Sequence, residues 1–322
     1  MRNYLLRRLL LMIPVIIGIS IIIFVLINLA PGDPFASMIE SNPNMSKADY
    51  ENLLRSIGYY DPLPVKYVKW AGQVLTGNMG YSISQNQPVA EMIGRRLMNT
   101  LALSLPALVL STLISVPLGV LSATKQYSIW DYVLTVTALI GVSVPAFFLA
   151  LLLVKYVAFD LSLFPIQGME TIGANLTGLA AVWDKLYHMV LPLTVLTVIQ
   201  VAGRMRYTRS SMLEVIGQDY IRTARSKGLS ERSVIYKHAL RNALIPVITV
   251  LSISLGSLLS GAILTENVFM WPGMGTLVYQ AIANRDYPLV MAGTMVLALT
   301  MLFANLFADI MYALVDPRIR YE

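Results

Sequence analysis

Six long blocks of apolar residues with very few charges constrain this chain more than any other feature of its sequence. A water-soluble core has no need for runs of twenty residues without charge, whereas a helix of about 20 apolar residues crosses the bilayer core of about 30 Å. The chain is 56% hydrophobic and 13% charged, whereas about 25% of the residues in soluble proteins are charged. We predict an all-α integral membrane protein with six transmembrane helices, from the blocks 9–30, 101–123, 129–158, 189–205, 245–265 and 289–315.

The first block follows Arg2, Arg7 and Arg8 and therefore looks like the start of a secretory signal peptide. Its apolar run over 9–30 exceeds the roughly 7–15 residues of a signal core, and no small-residue cleavage pattern follows it. We predict that residues 1–30 are a short tail and a retained first transmembrane helix.

Residues 31–98 differ in composition from the blocks, because they are polar and are interrupted by proline and glycine. Pro62 and Pro88 each have the fixed φ that suits the start of a helix. This stretch is predicted to be a small extracytoplasmic helical domain. Residues 99–322 are then a core membrane domain that contains the other five crossings.

The positions of Lys and Arg in the loops predict the orientation, because short cytoplasmic loops carry an excess of these residues. With the N-terminus inside, the basic residues around the loop 206–242 fall on the inner side, whereas the short outer loops hold only Lys185 and Arg285. A domain as long as 31–98 is translocated largely regardless of its charge. Both termini and the loop 206–242 are therefore predicted to be cytoplasmic.

The sequence excludes several kinds of site. The chain has no cysteine, so it has no disulfide, thiolate nucleophile or cysteine-based metal site, and its two histidines, His188 and His238, are far apart. The net charge of +6 lies mainly on the inner side, which is typical of membrane orientation and not of nucleic-acid binding. No G-x-x-x-x-G-K-S/T pattern is present, so we expect no ATP site, no cofactor and no enzymatic activity in this chain.

The loop 206–242 has the pattern of two short helices joined by a tight turn. Asp219 can cap a helix over 220–227, and Gly228 suits the left-handed conformation that ends many helices. Ser230 can cap a second helix that continues into the fifth apolar block. We therefore predict a rigid projection on the cytoplasmic side.

One face of the first loop helix carries Tyr220, Ile221 and Ala224, and its flanks carry Arg222 and Arg225. Basic flanks alone would fit contact with anionic lipid. An exposed pair of Tyr and Ile beside a small residue favours docking on a partner protein instead.

The ten residues from Asp219 to Gly228 resemble the cytoplasmic EAA loop of ABC-importer permeases, in the form found in dipeptide and oligopeptide importers. Two departures from the general motif, Arg222-Thr223-Ala224 in place of Glu-Ala-Ala and the late position of Pro246, resemble the peptide branch. The stretch after the first helix resembles the B-type subunit of these importers. Further similar segments are 30–34, 208–212, 238–243, 271–275, 285–287 and 316–320.

This resemblance implies the pore-forming subunit of an ATP-driven importer in the bacterial cytoplasmic (inner) membrane. Its implied partners are a second homologous permease, two ABC ATPase subunits that bind ATP and Mg, an extracytoplasmic solute-binding protein and membrane lipid. The first loop helix would be a coupling helix that contacts an ATPase. The implied coupling residues are Asp219, Tyr220, Ile221, Arg222, Thr223, Ala224, Arg225, Lys227 and Gly228.

Three alternatives remain open from the sequence. Within the family, the same scaffold also serves nickel, opines, glutathione and oligosaccharides. An autonomous channel or secondary transporter would work without ATPases, and such proteins usually carry internal repeats or intramembrane charge relays, neither of which this sequence shows. A scaffold or sensor without transport activity would leave the first loop helix without an ATPase to contact.

Polar residues within the apolar blocks are candidates for a solute path. Asn305 and Asp309 share one helix face, and Ser254 and Ser257 belong to a block rich in small residues with Glu266 at its outer end. Close helix packing and an interfacial acid are the ordinary explanations for such residues. The predicted path residues are Ser254, Ser257, Glu266, Asn305 and Asp309.

Overall fold

The computed structural model describes residues 2–29, 51–52, 54–55, 58–257 and 262–315. Within these ranges the all-α prediction is confirmed, and the β pairing is limited to an isolated bridge between Tyr81 and Pro88. Two π-helical segments, Val154–Asp160 and Val234–Ala239, extend α5 and join α8 to α9. The helices are α1 (Arg2–Leu29), α2 (Leu63–Leu75), α3 (Val89–Thr124), α4 (Ile129–Ser143), α5 (Ala146–Leu153), α6 (Gly178–Ile216), α7 (Asp219–Ser226), α8 (Glu231–Ser233), α9 (Leu240–Ser257), α10 (Ile263–Val268), α11 (Met274–Ala283) and α12 (Tyr287–Val315).

Five helices in the described ranges are long and apolar enough to cross a membrane. They are α1, α3, α6, α12 and the continuous helix that runs from α8 into α9. α4 and the extended α5 form a bent pair, which brings the number of crossings to six if it counts as one span. Four of the apolar blocks therefore correspond to long helices, the block 245–265 continues past the end of α9 at Ser257, and the block 129–158 is a bent pair.

The bend between α4 and α5 measures 99°. Val144 is extended, with φ −79° and ψ 122°, because a following proline disfavours the helical conformation. Pro145 then occupies the N-cap position of α5. The predicted crossing over 129–158 is therefore a bent pair of helices broken before Pro145, and not a straight helix.

Two helices extend well beyond the blocks that predicted them. α3 begins directly after Pro88 and α2 directly after Pro62, which confirms both predicted helix starts and makes residues 89–98 part of a long helix. α6 has 39 residues, which is about 58 Å at 1.5 Å per residue and is longer than a bilayer core requires. Pro192 lies inside α6 without ending it.

The chain divides into two compact units, of which the first comprises Met1–Met98 and Gly273–Thr300. α1 contacts α2 through a 2.8 Å hydrogen bond between the hydroxyls of Ser20 and Tyr67. The described residues of the predicted domain 31–98 fall in this unit, residues 31–50 lie outside the described ranges, and the extracytoplasmic location stays a prediction. The apolar core of the unit consists of Val89, Met92, Ile93, Met274, Leu277, Ala281, Leu289, Val290 and Ala292.

The second unit comprises Asn99–Pro272 and Met301–Glu322, and in it α6 contacts both α4 and α9. Gly119 of α3 lies so close to α6 that a Cβ atom at this position would be 2.6 Å from the Cβ of Thr208 and 2.9 Å from the Met205 carbonyl oxygen. Close approach through small residues is the usual way in which membrane helices pack. The contact brings the C-terminal parts of α3 and α6 together.

Candidate functional site

The first helix of the loop is present as α7, one residue earlier than the predicted 220–227. Gln218 occupies its N-cap position and no side chain caps the helix, so the prediction of an Asp219 cap is wrong. Asp219 lies in the first turn, where a carboxylate is favoured by the positive end of the helix dipole. Gly228 has a φ of +76°, so the turn uses the left-handed conformation that glycine adopts without strain.

The second helix of the loop also begins where the sequence predicts it. Ser230 is the N-cap residue of α8, although its side chain makes no capping hydrogen bond. From Glu231 the helix runs to Leu255 through α8, the π-helical segment and α9. α7 is therefore attached by a short turn to a helix that enters the apolar block.

The inner face of α7 packs into an apolar cluster of the same chain, which we call the socket. Ile221 has 0% of its surface exposed and Ala224 has 7%. The predicted exposure of Ile221 toward a partner is therefore wrong, because full burial of such a side chain stabilises its present position by about 1.5–3 kcal/mol. The socket consists of Val120, Ala123, Met212, Val234, Ile235, Ala239 and Ala243.

The outer face of α7 and the turn that follows are exposed. Arg225 forms a two-bond ion pair with Glu231, with Nη2–Oε1 and Nε–Oε2 distances of 2.7 and 3.1 Å. This carboxylate partner raises the pKa of the Arg225 guanidinium above its ordinary value. The exposed coupling candidates are Asp219, Tyr220, Arg222, Thr223, Arg225, Lys227 and Gly228.

An ion pair between a buried carboxylate and a half-buried guanidinium lies beside the socket and was not predicted from the sequence. The Asp131 carboxylate of α4 accepts two hydrogen bonds from Arg209 of α6, at 2.7 Å from Nε and 2.9 Å from Nη2. The Ser122 hydroxyl of α3 donates to the same carboxylate at 2.5 Å. We call these three residues the clamp, because they join the ends of three helices next to the residues that hold α7.

Arg204 lies one and a half turns before the clamp on α6 and is only 4% exposed. Its guanidinium donates to the Ser111 hydroxyl and lies 3.5 Å from the Leu108 carbonyl oxygen. No carboxylate pairs with it among the residues that the structure describes. A charged side chain within a transmembrane helix is costly and marks a candidate functional residue.

The five predicted path residues have different environments. Glu266 is completely buried and accepts a 2.7 Å hydrogen bond from Thr100, so it belongs to a closed junction between α3 and α10. Ser254 is half-buried and donates to the Val250 carbonyl at 2.7 Å. Asn305 and Asp309 are half-buried on α12, and the side chain of Ser257 lies outside the described residues.

A second buried carboxylate, Asp286, connects the turn before α12 to the loop before α3. One of its oxygens accepts from the Ser82 hydroxyl at 2.5 Å, the Ser84 hydroxyl at 2.8 Å and the Ser84 N–H at 3.0 Å. The other oxygen accepts from the Leu289 N–H at 3.3 Å and so caps α12. We call Asp286, Ser82 and Ser84 the pin. Asp286 falls in a segment that carries the family resemblance, but nothing in the sequence indicated its partners.

Within the described residues, no group of three or more His, Asp or Glu side chains could hold a metal ion.

Comparison with known protein families shows which family this chain belongs to. Residues 115–321 match the family described as binding-protein-dependent transport system inner membrane component. Residues 1–104 match the N-terminal part of the same kind of membrane component. The chain belongs to this family. It is therefore a multi-pass inner-membrane component of a binding-protein-dependent transport system, and the predicted resemblance to ABC-importer permeases is confirmed.

Curated relatives match over the whole length of the chain. The oligopeptide transport system permease protein AppB of Bacillus subtilis is 44% identical over 322 residues, which covers 100% of both chains. The dipeptide transport system permease protein DppB of Escherichia coli K12 is 39% identical, again with 100% of both chains covered. A putative peptide permease of Brucella suis is 41% identical over 99% of both.

Two solved structures share the fold at low sequence identity. A chain of an amino acid ABC transporter has a TM-score of 0.53 and 12% identity, and the match covers 69% of this chain and 94% of that one. A chain of the MetNI methionine ABC transporter in inward-facing conformations has a TM-score of 0.52 and 18% identity, with 71% and 98% covered. The fold of this family member is therefore that of the permeases of ABC importers.

Proposed function

We propose that this chain is the pore-forming permease subunit of an ATP-driven importer for dipeptides and oligopeptides. The observation that carries the proposal is full-length identity of 39–44% to permeases named for dipeptide and oligopeptide transport. The solute-binding protein would deliver the peptide at the outer side. ATP and Mg would bind to two partner ATPases, since this chain has no phosphate-binding loop.

In this proposal α7 transmits the movement of an ATPase to the membrane helices. Its inner face is held in the socket by Ile221 and Ala224, and its outer face presents Tyr220 and Arg222. A short helix that is rigidly held by its own chain can push or pull the helices to which it is attached without deforming. Closure of the ATPase pair would thereby switch the permease between its outward-facing and inward-facing states.

A transport assay tests the cargo and the requirement for ATPases. The chain should be co-expressed with its neighbouring transport subunits, purified as a complex and reconstituted in liposomes with the solute-binding protein. Uptake of a labelled dipeptide should require ATP and should be competed by unlabelled oligopeptides. Uptake of nickel, glutathione or an oligosaccharide in place of peptides would show that the proposed cargo is wrong. Solute flux through this chain alone without ATP would refute the whole proposal.

A matched pair of charge reversals tests the role of α7. Arg222→Glu changes the exposed face of α7 without disturbing the socket, and we expect at least a tenfold loss of peptide uptake with normal amounts of protein in the membrane. Lys125→Glu makes the same change at another exposed position outside the loop and should transport normally. Equal uptake by the two variants would remove α7 from the coupling mechanism.

The proposed orientation places both termini and α7 in the cytoplasm and the residues after α1 outside. Because the chain has no cysteine, single thiols report their own position. Tyr60→Cys and Ser226→Cys alter exposed side chains. In intact spheroplasts a membrane-impermeant maleimide should label the first and not the second. The reverse labelling would invert the topology.

The five predicted path residues remain a proposal. Ser254, Asn305 and Asp309 are half-buried, Glu266 is buried and the side chain of Ser257 lies outside the described residues. Asn305→Leu preserves size and removes the amide. If the amide contacts the peptide, the KM for uptake should rise severalfold while the ATPase activity without substrate stays unchanged. An unchanged KM would remove Asn305 from the path.

A further inference from the structure

A groove with a cavity volume of about 1230 Å³ lies between the end of α6 and the start of the helix that leads into α9. At one end it is lined by three basic side chains, Lys237, His238 and Arg241. Lys237 and Arg241 are four residues apart and therefore lie on the same face of their helix. Both are exposed, and His238 is half-buried between them.

The charges of this groove differ from those of the neighbouring arginines. Arg209 is paired with Asp131 and Arg225 with Glu231. Within the part of the chain that the structure describes, neither Lys237 nor Arg241 forms an ion pair, and the groove lining contains a single carboxylate, Glu214. The two cations against one carboxylate give the groove an excess of positive charge, which attracts an anion.

The other end of the groove is apolar. Leu244, Ile245 and Ile248 continue the lining along α9 toward the membrane. From Arg241 to Ile248 the helix rises about 10 Å at 1.5 Å per residue. This distance is comparable to the depth over which a lipid changes from its phosphate to its acyl chains. The groove thus joins a cationic end at the membrane surface to an apolar end inside the bilayer.

We infer that this groove binds an anionic phospholipid of the inner leaflet, with its phosphate among Lys237, His238 and Arg241 and an acyl chain along Leu244 and Ile248. Basic pockets between transmembrane helices at the cytoplasmic side are suited to such headgroups. A soluble anion would use only the charged end of the groove. The second permease chain, as an alternative occupant, would need to present acidic residues opposite two unpaired cations.

The inference rests on the proposed orientation, which places the groove on the inner side, and the thiol labelling described above tests that orientation separately. Tyr220 also lines the groove, so a bound lipid would lie directly beside the proposed coupling helix. The inner-leaflet composition would then influence how α7 contacts its ATPase.

The test measures lipid bound to the purified complex. The complex should be delipidated in mild detergent, exposed to phosphatidylglycerol or phosphatidylcholine and analysed by native mass spectrometry. Phosphatidylglycerol should bind at least tenfold more tightly than phosphatidylcholine. The variant Lys237→Gln/Arg241→Gln should lose this preference, because each cation near the surface contributes severalfold to the affinity. Arg232→Gln, an exposed basic residue that is not part of the groove lining, should retain it.

Two further experiments distinguish a bound phospholipid from other occupants of the groove. Glycerol 3-phosphate carries the headgroup charge without acyl chains and should not displace the lipid; displacement would indicate a soluble-anion site and overturn the inference. Asn242→Cys introduces a thiol at the groove, which phosphatidylglycerol should protect from maleimide. Protection that persists after delipidation and ends only when the subunits dissociate would assign the groove to the second permease chain. Equal lipid binding by the double variant and the wild type would also refute the site.

Discussion

The clamp and the pin are both built on a buried carboxylate, but they satisfy it in different ways. Asp131 of the clamp is 3% exposed and is held mainly by the guanidinium of Arg209, with the Ser122 hydroxyl and the Tyr127 N–H as additional donors. Asp286 of the pin is 0% exposed and is held by two hydroxyls and two backbone N–H groups. In the described part of the chain Asp286 has no cationic partner.

This difference indicates how each connection would respond to movement. A hydroxyl and an N–H bond to a carboxylate only at short distance, so the pin holds one arrangement of its loop and helix. Two opposite charges attract each other over a longer range, so the Asp131–Arg209 contact of the clamp can tolerate small displacements of α4 and α6, whereas the bonds from Ser122 and Tyr127 are local to α3 and α4. The clamp, which tolerates small displacements, therefore lies beside the residues that hold α7. The pin, which does not, fixes the loop before α3.

The largest effect is expected for removal of the cation from the clamp. Arg209→Met leaves the Asp131 carboxylate buried without its partner, which should lower the free energy of unfolding by about 3–5 kcal/mol. Thermal unfolding of the purified protein in detergent measures the change. The double variant Asp131→Asn/Arg209→Met should recover much of the loss, because a buried pair replaced as a whole leaves no isolated charge. No recovery would mean that the pair does not act as a unit.

Removal of the charge from the pin should have a smaller effect. In Asp286→Asn the amide oxygen can still accept from Ser82 and Ser84, but the NH2 group then faces the Leu289 N–H. We expect a loss of about 2 kcal/mol from this mismatch of donors, measured by the same thermal unfolding. A loss as large as that of Arg209→Met would show that the carboxylate charge dominates the pin, and the contrast drawn above would be wrong.

A pair of serine substitutions sharpens the comparison further. Ser82→Ala and Ser122→Ala each delete one hydroxyl that donates to a buried carboxylate at 2.5 Å. Ser82→Ala should cost about 1 kcal/mol, and Ser122→Ala should cost less because Arg209 continues to hold Asp131. The reverse order would mean that the guanidinium does not compensate for the missing hydroxyl.

The smallest effect is expected at the surface. Glu231→Gln breaks the exposed ion pair with Arg225, and such pairs contribute about 0–1 kcal/mol. Its effect on unfolding should disappear at high salt. If the loss persists at 1 M salt, the contact of α7 with α8 depends on more than charge.

Much of the fold could be predicted from the sequence, because a helix in a bilayer needs a long run of apolar residues and such runs are visible. The bend at Pro145 could not be predicted from the proline alone, since Pro106, Pro117 and Pro192 lie inside unbroken helices. Whether neighbouring helices satisfy the freed carbonyl groups decides the outcome. That information is in the packing and not in the local sequence.

The position of α7 in the sequence was predicted, but the direction in which its apolar face points was not. The turn at Gly228 and the two short helices follow from local residue preferences. The burial of Ile221 could not be inferred, because a short helix with an apolar face can face its own chain or a partner equally well. Arg209 lies 78 residues from Asp131 and Ser82 lies 204 residues from Asp286, and no periodic pattern connects residues so far apart.

The continuity of α6 has a mechanical consequence. A helix of 39 residues that tilts as one piece by about 5° around its midpoint moves each end by about 2.5 Å, given a length of about 58 Å. The same small angle therefore produces displacements of opposite direction at its two ends. Met212 of the socket and Arg209 of the clamp lie near one end of this lever. A displacement of the socket by little more than an atomic radius would therefore move the other end of α6, on the far side of the membrane, by a similar distance in the opposite direction.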